Sequence, residues 1–134
     1  SCTECGRCTS ECPANQTGKK LSPRKIMMDT RDRLEKVSLN ISKNKGEFID
    51  DGDRLLDNYI SKEELWACTS CNACVEACPI NIDPLSIIMD MRQYLIMEES
   101  SAHPDLNNMM NNIENNGAPW PYNQLDRELW AQET

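Results

Sequence analysis

The chain has 134 residues, about the length of one domain, and only 5% of them are aromatic. A core of this composition is small and aliphatic, so we expect a source of stability besides side-chain packing. The formal net charge is −8, and an acidic chain is repelled by nucleic acid and by anionic membrane surfaces. No stretch reaches the roughly 18–20 apolar residues that span a bilayer. We therefore expect neither nucleic-acid binding nor membrane contact from this segment itself.

Eight cysteines form two sets of four with the same spacing. The sequence CTECGRCTSECP begins at residue 2 and CTSCNACVEACP begins at residue 68, so each cysteine follows its counterpart by 66 residues. A threonine follows the first cysteine of each set, and a proline follows the last one. The chain therefore contains an internal duplication, although only the cysteine site repeats.

Three helices are predicted around these sets by their start signals. Ser22 precedes a proline at the first position of a helix over 23–37. The pattern at Ser61–Glu64 is a capping box, which predicts a helix that leads into the second cysteine set. Asp83 and a following proline begin a helix over 84–98.

The remaining segments give weaker signals. One short helix is predicted at 53–59 within a polar connection, and another over 105–116 that ends at Gly117. The tail contains Trp120 and Trp130, which we expect either to anchor a neighbouring domain or to pack on this chain's own core. No strand pattern appears, so the predicted fold class is all-α. We expect a cluster-binding domain over 1–100, and over 101–134 a helix and tail that lead to a further domain.

Each cysteine set reads C-x2-C-x2-C-x3-C-P, the run typical of bacterial two-cluster ferredoxins. The two-residue gaps let a tight loop direct three thiolates at one iron–sulfur cube, with backbone N–H groups facing the sulfurs. The proline redirects the chain, so the fourth cysteine reaches the other cluster. The predicted ligands of one [4Fe–4S] cluster are Cys2, Cys5, Cys8 and Cys78, and those of the other are Cys68, Cys71, Cys74 and Cys12.

Disulfides and structural zinc are the rival interpretations of the cysteines. An even number of cysteines suits disulfides in a small secreted chain, but no pairing explains the constant register of the two sets. Structural zinc sites usually combine two C-x2-C pairs that lie a dozen or more residues apart. We therefore favour two [4Fe–4S] clusters. Since each would join distant parts of the chain, we expect the protein without them to be largely disordered.

The rest of the sequence offers no catalytic constellation. His103 is the only histidine and precedes a proline in a predicted loop. There is no Gly-rich phosphate loop and no flavin or nicotinamide motif. We therefore expect a chain that moves electrons and that carries no substrate-transforming site; whether the whole protein is an enzyme stays open.

Two stretches of the sequence resemble heterodisulfide reductase-like proteins, also called Fe–S oxidoreductases. ACTSCNACVEACPINIDPLSIIMDMR, residues 67–92, is similar to their second-cluster region. NNGAPWPYNQLDRELWA, residues 115–131, resembles an Asn-x-Pro-Trp-Gly segment followed by an Arg and a Trp, with Pro121 in place of the glycine. The resemblance implies an α-helical ferredoxin fold with two cluster-binding loops, and a fragment of a longer protein in which a cysteine-rich CCG domain typically follows.

The resemblance also implies an electron relay. We expect a redox partner protein or adjacent domain, namely a CCG domain, a flavoprotein or a quinone-linked subunit. The expected location is cytoplasmic, with membrane association only through segments outside this chain or through partner subunits. An alternative is the iron–sulfur subunit of a succinate-, glycolate-, lactate- or glycerol-3-phosphate-type dehydrogenase. An alternative of another class is a metal-stabilised interaction module.

Overall fold

The computed structural model describes residues 2–132, and within this range the chain forms helices and turns without a β-strand. The predicted all-α class is therefore confirmed.

The chain divides into two compact units, with the boundary between Tyr94 and Leu95. The proposed domains 1–100 and 101–134 stay a prediction, and their outermost residues lie outside the described range. The α-helices are α1 (Arg7–Ser10), α2 (Pro13–Gln16), α3 (Pro23–Lys43), α4 (Lys62–Ala67), α5 (Ala73–Glu76), α6 (Pro84–Met97) and α7 (Pro104–Asn116).

Helix α3 is the longest element of the first unit. It begins as predicted, because the side chain of Ser22 accepts a hydrogen bond from the backbone N–H of Lys25 and a proline occupies the first turn. The helix continues to Lys43, beyond the predicted end at residue 37, since no glycine or proline interrupts it. It stops before Lys45 and Gly46, whose φ angles of 58° and 100° are incompatible with a right-handed helix.

The predicted capping box at the start of α4 is confirmed. The backbone N–H of Ser61 donates to Glu64 Oε2 at 2.9 Å, and the Ser61 hydroxyl accepts from the Glu64 N–H. Glu64 is 3% exposed and lies 2.9 Å from the ammonium of Lys25 on α3. Burial by itself raises the pKa of Glu64, but the hydrogen bonds from Ser61 and Lys25 outweigh it and lower the pKa. The carboxylate stays charged and joins α3 to α4.

The segment 55–59 forms an irregular turn in place of the regular helix predicted at 53–59. Leu56 is extended and Asp57 has a φ of 73°, so neither residue is helical. This path buries the side chains of Leu56 and Ile60, which are 4% and 0% exposed. Burial of these two apolar side chains outweighs the local helical preference of the segment.

The second unit contains α7 and the tail. Gly117 ends α7 with a φ of 64°, as predicted. The tail folds back on this end, since the guanidinium of Arg127 donates to the Gly117 carbonyl at 2.8 Å. A 3-10 helix follows over Gln124–Ala131. Trp120 and Trp130 are 52% and 77% exposed, so neither indole is buried in a core of this unit. Anchoring of a neighbouring domain by these tryptophans stays a prediction.

Candidate iron–sulfur centres

Two cavities of the first unit are lined by cysteines, and each draws on both cysteine sets. They enclose about 380 and 320 Å³ of empty space, part of it open to solvent. Each cavity combines the first three cysteines of one set with the fourth cysteine of the other set. The first cavity is lined by Cys2, Cys5, Cys8 and Cys78, and the second cavity by Cys68, Cys71, Cys74 and Cys12.

The two cysteine loops adopt the same backbone conformation. Glu4 and Ser70, which occupy equivalent positions, have φ angles of 59° and 55°. Gly6 and Asn72 are also equivalent and have φ angles of 80° and 63°. Glycine and asparagine are the residues that tolerate this left-handed region best, so the sequence supports the second of these two turns in each loop.

These turns direct backbone N–H groups at cysteine sulfur. The N–H of Glu4 lies 3.3 Å from Cys2 Sγ, and the N–H of Ser70 lies 3.4 Å from Cys68 Sγ. Such donors stabilise the negative charge of a metal-bound thiolate. The loops therefore present sulfur donors that are already supported by the main chain.

A four-residue helix, α1 or α5, carries the third cysteine of each set and ends just before the fourth. The same backbone hydrogen bonds recur in both helices; for example, the N–H of Cys12 donates to the carbonyl of Thr9, and that of Cys78 to the carbonyl of Val75. Helices α1 and α5 contact each other. This packing places the fourth cysteine of each set beside the loop of the other set.

The two sets diverge after the fourth cysteine. Pro13 begins α2, whereas the segment after Cys78 forms a turn in which the N–H of Ile82 donates to Cys78 Sγ at 3.2 Å. This difference follows from the longer connection between Cys12 and α3 than between Cys78 and α6. The first cavity thereby gains a further N–H···S contact.

Arg92 supports the second loop, although no sequence motif singles it out. Its guanidinium donates to the carbonyl of Leu65 at 2.6 and 3.0 Å and to the carbonyl of Cys68 at 2.5 Å. The same group lies 5.0 Å from the ring centre of Trp66. Arg92 therefore fixes the point at which α4 leads into the second cysteine loop.

The cysteines differ in exposure and in acidity. Cys12 and Cys74 are 6% and 8% exposed, while the equivalent pair Cys5 and Cys71 is exposed. Burial, with a smaller contribution from neighbouring thiols, raises the pKa of Cys74 to about 11. Hydrogen bonding from the Ala73 backbone is the main cause of a lowered pKa at Cys71. Because metals bind the thiolate, a metal at Cys74 must displace a tightly held proton.

The donor set fits iron–sulfur clusters. All eight cysteines are free thiols, and within residues 2–132 no three Cys, His, Asp or Glu side chains converge on a position for a single metal ion. The thiols instead surround cavities whose remaining walls are largely apolar, with Met27 and Ile80 in the first and Leu21 and Ile88 in the second. Four thiolates around a largely apolar cavity match the requirements of an iron–sulfur cube. Fold and donors thus define a helical protein with two iron–sulfur sites.

Comparison with known proteins identifies the family. Residues 1–82 match the family described as the 4Fe-4S dicluster domain. The match covers more than half of the chain, so the chain belongs to this family. It is an iron–sulfur electron-transfer domain that binds two [4Fe–4S] clusters.

Several oxidoreductases and their subunits are similar to this chain. A probable iron-sulfur-binding oxidoreductase, FadF, of Bacillus subtilis is 32% identical over 99% of this chain and 23% of its own length. An EtfAB:quinone oxidoreductase of Syntrophomonas wolfei is 29% identical over 99% of this chain and 21% of its own length. A CoB-CoM heterodisulfide reductase subunit of Methanosarcina acetivorans is 32% identical over 73% of this chain and 47% of its own length. The expected likeness to heterodisulfide reductase-like proteins is confirmed, and the chain spans under a quarter of the first two relatives.

The described part of the chain, residues 2–132, contains no helix that is both long and apolar enough to cross a bilayer.

Replacement of Arg92 tests its support of the second loop. We expect Arg92→Lys to lower cluster affinity at the second cavity about 10–100-fold, because lysine cannot donate to two carbonyls through a planar fork. Iron and sulfide retained after a chelator challenge measure the loss, and EPR shows whether one cluster or both are affected. The matched control is Arg127→Lys in the second unit, which should retain both clusters. Equal cluster retention in both variants would contradict this role of Arg92.

Proposed function

We propose that this chain is the two-cluster relay of a larger oxidoreductase and passes electrons singly between a redox partner and an accepting site. When bound, each [4Fe–4S] cluster supplies reversible one-electron oxidation and reduction. The observation that carries the proposal is the composition of the two cavities, which unite cysteines of both sets within one compact unit. The proposed ligands are Cys2, Cys5, Cys8 and Cys78 for the first cluster and Cys68, Cys71, Cys74 and Cys12 for the second.

The residues around the cysteines suit reversible electron transfer. Backbone N–H groups of Glu4, Ser70 and Ile82 donate to cysteine sulfur and so offset part of the negative charge that reduction adds. Apolar side chains line both cavities and limit the access of water. Cys5 and Cys71 are exposed, which brings one edge of each site to the surface where electrons can enter or leave.

The relatives support partners of a particular class. The Syntrophomonas wolfei relative is named as an EtfAB:quinone oxidoreductase, and the Methanosarcina acetivorans relative as a heterodisulfide reductase subunit. For this chain we propose a flavoprotein, a quinone-linked subunit or an adjacent CCG domain as redox partner. Residues 1–100 would form the relay, and 101–134 would lead to the next domain. We propose a cytoplasmic location, with any membrane attachment supplied by other segments or partner subunits.

A redox titration tests the relay function. After anaerobic cluster reconstitution, we expect stepwise reduction to produce EPR signals from two clusters that each accept one electron and interact magnetically. Reoxidation should restore the starting spectrum, since electron transfer changes no covalent bond to the protein. Metal that stays redox-silent over the accessible range of potentials would instead favour the metal-stabilised interaction module.

The variant Cys12→Ser tests the exchange of ligands between the two sets. Because Cys12 lines the second cavity, we expect its replacement to damage the same EPR signal as Cys71→Ser. Cys5→Ser, which alters the first cavity, should damage the other signal. If Cys12→Ser instead matched Cys5→Ser, the fourth cysteine would serve its own set and the proposed ligand sets would be wrong.

A further inference from the structure

We propose that the cluster at the first cavity has the higher reduction potential and that Arg24 is the residue that raises it. This inference rests on the relay function proposed above and adds a direction to it. Two differences between the cavities, in charge and in burial, point the same way.

A positive charge lines the first cavity. Arg24, in the first turn of α3, is part of its wall, and the guanidinium donates to the carbonyl of Glu4 at 3.4 Å. Reduction adds one negative charge to a cluster, so a nearby cation favours the reduced form and raises the potential. Among residues 2–132, no charged side chain lines the second cavity.

Other charged groups also lie near the two loops. Glu4 faces Arg31 at 3.0 Å, which offsets its carboxylate beside the first loop. Arg92 lies close to the second loop, but it is absent from the cavity wall. Its guanidinium keeps its charge while it donates to the carbonyls of Leu65 and Cys68, so it also favours reduction at the second site. The proposed charge difference therefore rests on the position of Arg24 within the wall of the first cavity.

Hydrogen bonds to sulfur support both cavities. Cys2 Sγ accepts from the N–H of Glu4, and Cys78 Sγ accepts from the N–H of Ile82. In the second cavity, Cys68 Sγ accepts from the N–H of Ser70, and the thiol of Cys71 is hydrogen-bonded by the Ala73 backbone. Since donors of this kind stabilise the reduced state at both sites, the difference in potential rests on charge and burial.

Burial lowers the potential of the second site. Two of its four cysteines, Cys12 and Cys74, are buried, whereas those of the first cavity are half-buried or exposed. An added negative charge is less stable where water is distant, so reduction is harder at the second cavity. One electron lost there is gained at the first cavity, and the transfer needs no further reactant. Electrons therefore run from the second site to the first.

The test is an EPR-monitored redox titration of the reconstituted protein and three variants of α3. Arg24→Gln removes the charge at the first cavity, and Arg24→Lys keeps a cation there. The matched control, Lys43→Gln, removes one charge in the last turn of the same helix, which lies about 28 Å away at the rise of an α-helix. Cys5→Ser and Cys71→Ser assign each midpoint potential to a cavity, because each variant alters one site.

We expect Cys5→Ser to shift or abolish the higher-potential transition and Cys71→Ser the lower one. Arg24→Gln should lower the higher potential, while Arg24→Lys and Lys43→Gln leave it near the unmodified value. Since Arg24 is exposed, the shift should shrink as ionic strength rises, which a structural defect would not do. The inference is overturned if the higher potential belongs to the second cavity, or if Arg24→Gln moves neither potential. In both cases, two clusters that still exchange electrons would remain consistent with the relay function. Redox-silent metal would contradict the relay function itself.

Discussion

Each cysteine loop contributes its fourth cysteine to the cavity of the other loop, and the first unit depends on this exchange. Cys12 follows α1 but lines the second cavity, and Cys78 follows α5 but lines the first. With the proposed ligands, one bound cluster would join positions 70–76 residues apart and the other positions 56–62 residues apart. In chain-entropy terms a single cross-link over a loop of this length stabilises the folded state by about 4 kcal/mol. Within residues 2–132 the largest fully buried side chains are aliphatic, so this contribution is substantial beside a core of that kind.

Polar contacts between helices position the two loops around this exchange. The buried carboxylate of Glu64 joins Lys25 on α3, and α4 then leads directly into the second cysteine set. Arg92 holds the end of α4 from α6. In the first loop, the hydroxyl of Thr9 lies 2.9 Å from that of Ser22, which links α1 to the start of α3. The helices thus orient the cysteines, and the cysteines in turn bring the helices together when a cluster binds.

Much of this arrangement follows from local sequence patterns. The capping box placed the start of α4, and Gly117 marked the end of α7. These features depend on residues within a few positions of one another. The ligand sets that the cysteine spacing indicates stay a prediction. Helices α1 and α5 escaped prediction because four residues are too few for helical periodicity to appear. The turn at Leu56 follows from burial in the folded chain, which local preference does not reveal.

Long-range contacts account for the features that the sequence did not predict. Arg92 reaches carbonyls at positions 65 and 68, and Arg24 reaches the first cavity across twenty residues, so neither role shows in the neighbouring sequence. The duplicated cysteine pattern likewise suggested two equal sites. The structure places them in unequal surroundings, since Arg24 is part of the wall of the first cavity and the second cavity contains the two buried cysteines. A duplicated binding motif has therefore acquired an asymmetry that can give electron flow a direction.

The joining of the two halves by their shared clusters can be tested by cutting the chain between them. A protease recognition sequence inserted at the exposed turn of Lys45 and Gly46 separates the two cysteine sets covalently. Native mass spectrometry after cleavage should show both halves together with two clusters, and a chelator that strips the iron should release them from each other. Halves that separate while each keeps a cluster, or that stay together once both clusters are gone, would contradict the account.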